Sequence, residues 1–223
     1  SINKGHWGTS VGGKETLTSN LSLPETAFPT QISKSEPEEL SITFEKGEIK
    51  AVNGQEFSKP IEAIQFIQEI AQAFAIGRDT HVGDTIIGIK GRVSFEAAAP
   101  LIILKAHHLL EKHTLTKSQL FIKDQLSLSY GNYLHDGLVL DPVMQDMEAL
   151  FESSQKTVNG IVKILLKPYH FSLIGVESEN DLMSSKFGSY GEMNKTWTEA
   201  DVKGFSKIYS NALSIYHQVN NKN

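Results

Sequence analysis

The chain has no cysteine among its 223 residues. Disulfides, thiolate nucleophiles and cysteine-ligated zinc or iron–sulfur centres are therefore excluded. No apolar run approaches the ~20 residues needed to cross a bilayer, and no signal peptide is read at its start. A basic surplus is also missing: 21 Lys and Arg stand against 26 Asp and Glu, a net charge of −5. Nucleic acids and anionic membranes call for the opposite balance, so neither is an expected partner. Gly12-Gly13-Lys14 is followed by Glu15 where a phosphate loop carries a hydroxyl, and reads as a glycine-rich turn. Neither an H-E-x-x-H pattern nor a G-x-S-x-G elbow occurs. No metal site is expected. What remains, 39% hydrophobic and 21% charged, describes a globular, cytoplasmic protein large enough to bury a core.

The first forty residues, punctuated by Gly5, Gly8, Gly12, Gly13, Pro24, Pro29 and Pro37, read as loops and short turns. Alternation over Leu40–Phe44 and Ile49–Val52, with turns at Lys46-Gly47 and Asn53-Gly54, predicts a hairpin. Ser58 is the expected cap of a helix that has Pro60 in its first turn and runs to Ala75. Ile86–Ile89 is strand-like. Helices are predicted over Pro100–Lys112, from Thr116 or Lys117 to His135, and from Asp141-Pro142 to Ser154. A second hairpin covers Ile161–Leu166 and Phe171–Val176, and a glycine-rich loop spans Phe187–Asn194. One long amphipathic helix capped at Thr198 closes the chain, its stripe formed by Val202, Phe205, Tyr209, Ala212, Tyr216 and Val219. Strands and helices come in separate groups, so the fold class is α+β: an antiparallel sheet of hairpins packed with several helices. Ile61, Ile67, Leu104, Leu165 and Ile174 are the expected core.

His107 and Glu111, four apart on a helix, can face one metal ion, but no third ligand is evident and helix packing is the simpler reading. Gly77–Asp84 and Ile89–Arg92 gather two arginines, a lysine, two aspartates and a histidine around three glycines. That composition suits either an anion-binding loop or a solvated charged edge.

These segments also carry a resemblance. Ser1–Ser10 is similar to the S-x-x-x-N/G-x-W-G-x-S segment of argininosuccinate synthases. Gly77-Arg78-Asp79 with Gly88–Arg92 and Glu96 resembles their G-R-x-D, G-x-K-S-R-G and Y-E block. Ala106-His107, Glu111, Gly137-Leu138, Pro142, Ser154–Gly160, Asp201 and Gly204-Phe205 continue the match in the family's order. The resemblance implies the C-terminal synthetase domain of an ATP-dependent carbon–nitrogen ligase of arginine biosynthesis. In that reaction the citrulline ureido oxygen attacks ATP and releases pyrophosphate, and the amine of aspartate then displaces AMP.

By the same resemblance Ser1 and Ser10 bind citrulline, while Gly83 and Phe95 stand where the family places a Glu and a Tyr. Lys90 and Arg92 are possible anion contacts. ATP and Mg²⁺ are expected mainly on an N-terminal ATP-binding domain absent from this sequence, so the chain is expected to be a fragment, inactive alone. Residues 1–197 are expected to form the citrulline-binding domain and 198–223 an oligomerisation helix of a homotetramer. Two alternatives stay open. One is a ligase of the same family acting on an N-acylated citrulline, since Gly83 cannot pair with a ligand ammonium and leaves volume for an acyl group, unless another acid such as Asp84 takes that role. The other is a non-catalytic interaction module.

Overall fold

A computed structural model describes residues 1–183 and 196–221, in two units: residues 1–182 and residues 183–223. The glycine-rich loop read at Phe187–Asn194 lies outside the described residues.

In the first unit, β3 (Glu38–Glu45) is the middle strand of a five-stranded antiparallel sheet. It pairs on one side with β4 (Glu48–Val52), which continues to the short β5 (Gln55–Glu56). On the other side lie β8 (Gly160–Lys167) and β9 (His170–Glu177). Lys46-Gly47 and Asn53-Gly54 both take positive φ at two consecutive residues, the backbone of primed hairpin turns, as their sequences predict. Leu40, Ile42 and Phe44 alternate inward, and β8 answers in register with Val162, Ile164 and Leu166.

Two helices cover that face. In α1 (Pro60–Gln72) the buried residues Ala63, Ile67 and Ala71 recur every four residues. In α2 (Ala98–Thr114) Ile102, Ala106 and Leu110 do the same. The α1 cap is Lys59 rather than Ser58, whose hydroxyl instead donates to Glu62. α3 (Lys117–His135) starts from a Thr116–Gln119 capping box, and α4 (Pro142–Gln155) from Asp141, which accepts from Val143 N.

Of the five residues expected in the core, Ile67 is fully buried and Ile61 and Leu165 are half-buried. Leu104 and Ile174 are exposed. Leu104 is two residues from Ile102, roughly 200° around the helix, and so faces out. Ile174 falls at a bulge where Lys163 pairs with Gly175 and Ile164 with Leu173, leaving it unpaired.

A second antiparallel sheet, ordered β1-β2-β7-β6, draws its first two strands from the N-terminal segment expected to be loops and turns. β1 (Ile2–Gly5) and β2 (Gly8–Val11) form a hairpin, and β2 pairs with β7 (Lys90–Glu96). β6 (Arg78–Asp84) pairs along the other edge of β7. The Ile86–Ile89 stretch is not a strand: it forms the turn between β6 and β7, with Gly88 at φ 77. β1 and β2 are only four residues each, too short for a two-stranded hairpin to be stable alone, so their extended form depends on the pairing of β2 with β7. Gly77, at φ 84, joins this sheet to α2. A methyl group there would lie 2.7 Å from the Ala97 backbone, whose N–H donates to Gly77 O.

In the second unit the expected long helix is two. α5 (Glu199–Tyr209) starts at a Thr198–Asp201 capping box, and α6 (Asn211–Asn220) follows after Ser210. Ser210, at φ −83 and ψ −6, stays in the right-handed helical region with its N–H donating to Ser206 O, and its hydroxyl adds a contact of 3.4 Å to the Lys207 carbonyl. Neither helix buries a residue. No helix among the described residues is long and apolar enough to cross a membrane.

Candidate functional site

The small sheet has two different faces, and strand alternation decides which residues meet on each. One face is closed by residues 12–37. There Arg78 donates to Glu25 Oε1 and to Thr30 O, and its guanidinium stacks 4.6 Å from the Phe28 ring. Glu96, on the neighbouring strand, accepts from Thr30 Oγ1 at 2.7 Å, with Arg78 Nε 3.7 Å away. Thr80 and Ser94 share a hydrogen bond of 2.8 Å. Arg92 donates to the carbonyl oxygens of Glu15 and Thr18. This face is a polar seam that holds the N-terminal excursion onto the sheet.

The other face is open. Asn3 pairs with Ser10, Ser10 with Phe95, and Phe95 with Asp79, a single row across all four strands. Ser1 continues the same edge, its ammonium donating to Gly12 O at 2.6 Å. His81 and Gly83 follow Asp79 down β6 on this face. A cavity of about 440 Å³ opens beside the row, lined by Asn3, Trp7, Ser10, Phe95 and Ala97.

Alternation thus places Ser1, Ser10, Gly83 and Phe95 on one face of one sheet. Ser10 and Phe95 meet at the cavity. Gly83 is four residues from Asp79 along β6, ~13 Å at strand rise. The space at Gly83 is shared only with the exposed His81 side chain: a methyl group there would sit 2.6 Å from His81 Nε2, which rotation of that ring relieves. Lys90 and Arg92 lie on the opposite face. Arg92 is committed to backbone carbonyls, and Lys90 is paired with Asp84 at 2.6 Å. Asp84 therefore also faces away from Ser10 and Phe95. Sequence reading quoted Asn3, Trp7 and Asp79 within motifs but gave them no role. Only the register, invisible in a linear sequence, puts them together.

His107 and Glu111 belong to a separate, interior network. The Glu111 carboxylate is fully buried and accepts from Lys123 Nζ of α3 at 2.5 Å and from Gln155 Nε2 of α4 at 2.8 Å. Gln155 Oε1 in turn lies 2.9 Å from His107 Nε2. Burial pushes the Glu111 carboxyl up, but His107, Lys123 and the Gln155 amide pull it below the ordinary carboxylate value. Burial lowers the His107 imidazole, outweighing the opposite pull of Glu111 and Gln155. A neutral His107 then donates from Nε2 to Gln155, a contact that ties α2 to α4. Among the described residues no group of three or more His, Asp or Glu could hold a metal ion.

The Gly12-Gly13 turn is packed rather than open. A side chain at Gly13 would meet Leu23 Cδ2 and Glu15 Oε2 within 2.7 Å, so the Gly12-Gly13 turn packs on a leucine and a carboxylate.

The model of the arginosuccinate synthase C-terminal domain matches residues 1–216. An argininosuccinate synthase of Dictyoglomus turgidum is 33% identical over 224 residues, all of this chain and 56% of the relative. The enzyme of that name from Methanothermobacter thermautotrophicus is 33% identical over 98% of the chain and 55% of its own length. One from Dehalococcoides mccartyi (strain ATCC BAA-2100) is 34% identical over 85% of the chain and 48% of its own length. The chain thus spans about half the length of the curated relatives it matches. It belongs to the argininosuccinate synthase family, within that family's C-terminal domain.

Proposed function

We propose that this chain is the substrate-binding and assembly half of an argininosuccinate synthase working in the cytoplasm, with citrulline held over the open face of the small sheet. The observation that carries this reading is the meeting of Ser10 and Phe95 at the cavity within a chain matched to the family from residue 1 to 216. Ser1 and Ser10 supply hydroxyl groups for polar ends of the ligand, and the Phe95 ring supplies an apolar floor for its methylene chain. ATP and Mg²⁺ belong to a second half of the enzyme. In the reaction the ureido oxygen attacks the α-phosphorus and the bond to pyrophosphate breaks. The amine of aspartate then attacks the ureido carbon, and the bond to AMP breaks. The task of this chain is alignment: a bound ureido group held in line converts a bimolecular encounter into a unimolecular step.

The N-acylated citrulline reading needs the exposed His81 ring, which lies in the volume at Gly83, to rotate away, whereas plain citrulline needs no such movement. Plain citrulline is the substrate we propose. Residues 1–197 form the citrulline-binding part and 198–223 the assembly arm of a homotetramer, a role supported by an apolar stripe that α5 and α6 do not bury. The test is pyrophosphate release by the full-length protein. Release that requires citrulline, with argininosuccinate formed once aspartate is added, supports the reading, as does the absence of turnover by residues 1–223 alone. No citrulline-dependent release from the full-length protein would overturn it in favour of a non-catalytic module.

A further inference from the structure

We propose that Asp79 binds the ammonium group of the amino-acid substrate, standing in for the acid that position 83 lacks. The inference rests on the citrulline reading above and adds to it the residue that selects a free α-amine.

Charge and register carry the argument. An ammonium leaving water for a protein surface needs an anionic partner, and charge-assisted hydrogen bonds are the strong ones. By strand alternation the open face carries no charged side chain from β1, β2 or β7, and β6 presents Asp79, His81 and Gly83; Lys4 of β1 borders the cavity at the end of the row away from Asp79. Asp79 is therefore the sole carboxylate of that face. The other acids nearby are spoken for: Asp84 is on the far face with Lys90, and Glu96 is buried there with Thr30.

Asp79 itself is exposed. Its Oδ1 accepts from Thr80 N at 2.7 Å, which orients the carboxylate and leaves the second oxygen for a ligand. The row then reads carboxylate, aromatic ring, hydroxyl, carboxamide from Asp79 through Phe95 and Ser10 to Asn3. That order matches an ammonium, a methylene chain and a ureido end. Two strand spacings, ~10 Å, separate Asp79 from Ser10, close to the length of the extended ligand.

The experiment uses the full-length protein, with Asp79→Asn and Asp79→Glu. For Asp79→Asn the KM for citrulline is expected to rise about tenfold or more, with kcat within about twofold. Asp79→Glu should recover part of that loss. Ureidopentanoate, which keeps the chain and ureido end but has no amine, should inhibit wild type and Asp79→Asn with the same Ki. A fold defect would not produce this split between ligands. Circular dichroism checks folding, and Asp79→Ser replaces Asp79→Asn if that variant does not fold. A citrulline KM unchanged in the variant, or an equal loss for both ligands, overturns the role of Asp79 while the proposed function stands. A wild-type protein that turns over no citrulline overturns both.

Discussion

Ser10 and Phe95, far apart in sequence, are cross-strand partners on one face of the small sheet and share the wall of its cavity. This pairing gives the N-terminal hairpin its place: β1 and β2 are too short to hold as an isolated hairpin, and β2 pairs along β7. It also makes the site sensitive to either residue alone. Ser10→Ala in the full-length protein is expected to raise the citrulline KM about tenfold, since one hydrogen bond to a charged or strongly polar ligand is lost. The melting temperature should move little because Ser10 packs against nothing in the core. Steady-state kinetics alongside a thermal melt separates the two effects.

Glu111 is a buried anion with one strong cationic partner. Removing it leaves Lys123 with Asp124 at 3.7 Å and Gln155 Nε2 with Ser154 Oγ at 3.4 Å, both long contacts, and Glu111→Ala should cost about 3–5 kcal/mol. The double variant Glu111→Ala/Lys123→Met should cost clearly less than the two single losses added. Urea denaturation of all four proteins measures the coupling; simple additivity would show that Lys123 and Glu111 do not act as a pair.

The same network sets an acid limit on stability. Both Glu111 and His107 have folded values below their ordinary ones. For each, the unfolded chain takes up its proton first as pH falls, so acidification favours unfolding. The His107 contribution should begin to disappear below about pH 6.5, and that of Glu111 on descent through the carboxylate range. His107→Gln should flatten the upper part of this dependence and leave the lower part. A urea midpoint that rises on going from pH 7 to pH 5 would contradict it.

Ile67 and Leu104 both sit at apolar positions of helices, yet Ile67 is sealed and Leu104 is 56% exposed. Ile67→Ala should therefore cost roughly 2–5 kcal/mol, and Leu104→Ala within about 0.5 kcal/mol of nothing. Ile174→Ala, at the bulge, should resemble Leu104→Ala. Denaturation midpoints check the ranking.

Assembly gives the last prediction. Deleting residues 198–223 from the full-length protein should shift sedimentation from a tetramer to smaller species. Phe205→Ser/Tyr209→Ser, on one stacked pair of the stripe, should do so in part. A tetramer unchanged by the deletion would remove the arm from the assembly.

Much of this protein is legible without coordinates. The primed turns at Lys46-Gly47 and Asn53-Gly54, the Thr116 and Asp141 caps, and the two long hairpins each follow from chemistry within a few residues, because turns and caps are local events. Family membership is legible too, since it rests on ordered motifs. The small sheet is not. Ile2–Gly5 and Gly8–Val11 are only four residues each and Arg78–Asp84 is mostly polar, so none declares itself. β1–β2 and β6–β7 are hairpins, and what joins them into one sheet is the pairing of β2 with the distant β7. The two faces of that sheet follow from the same cause. One step of register exchanges the faces, and no local signal distinguishes Asp79 from Asp84. Tertiary pairing sets Asp79 beside Phe95 and sends Asp84, Lys90 and Arg92 to the other side. Composition and spacing thus determined the turns, the caps, the α+β class and the family. The register of the β6–β7 hairpin decided which acid shares a face with Phe95, and the long-range pairing of β2 with β7 brought Ser10 to that face, because backbone hydrogen bonding between strands and not local composition fixes register.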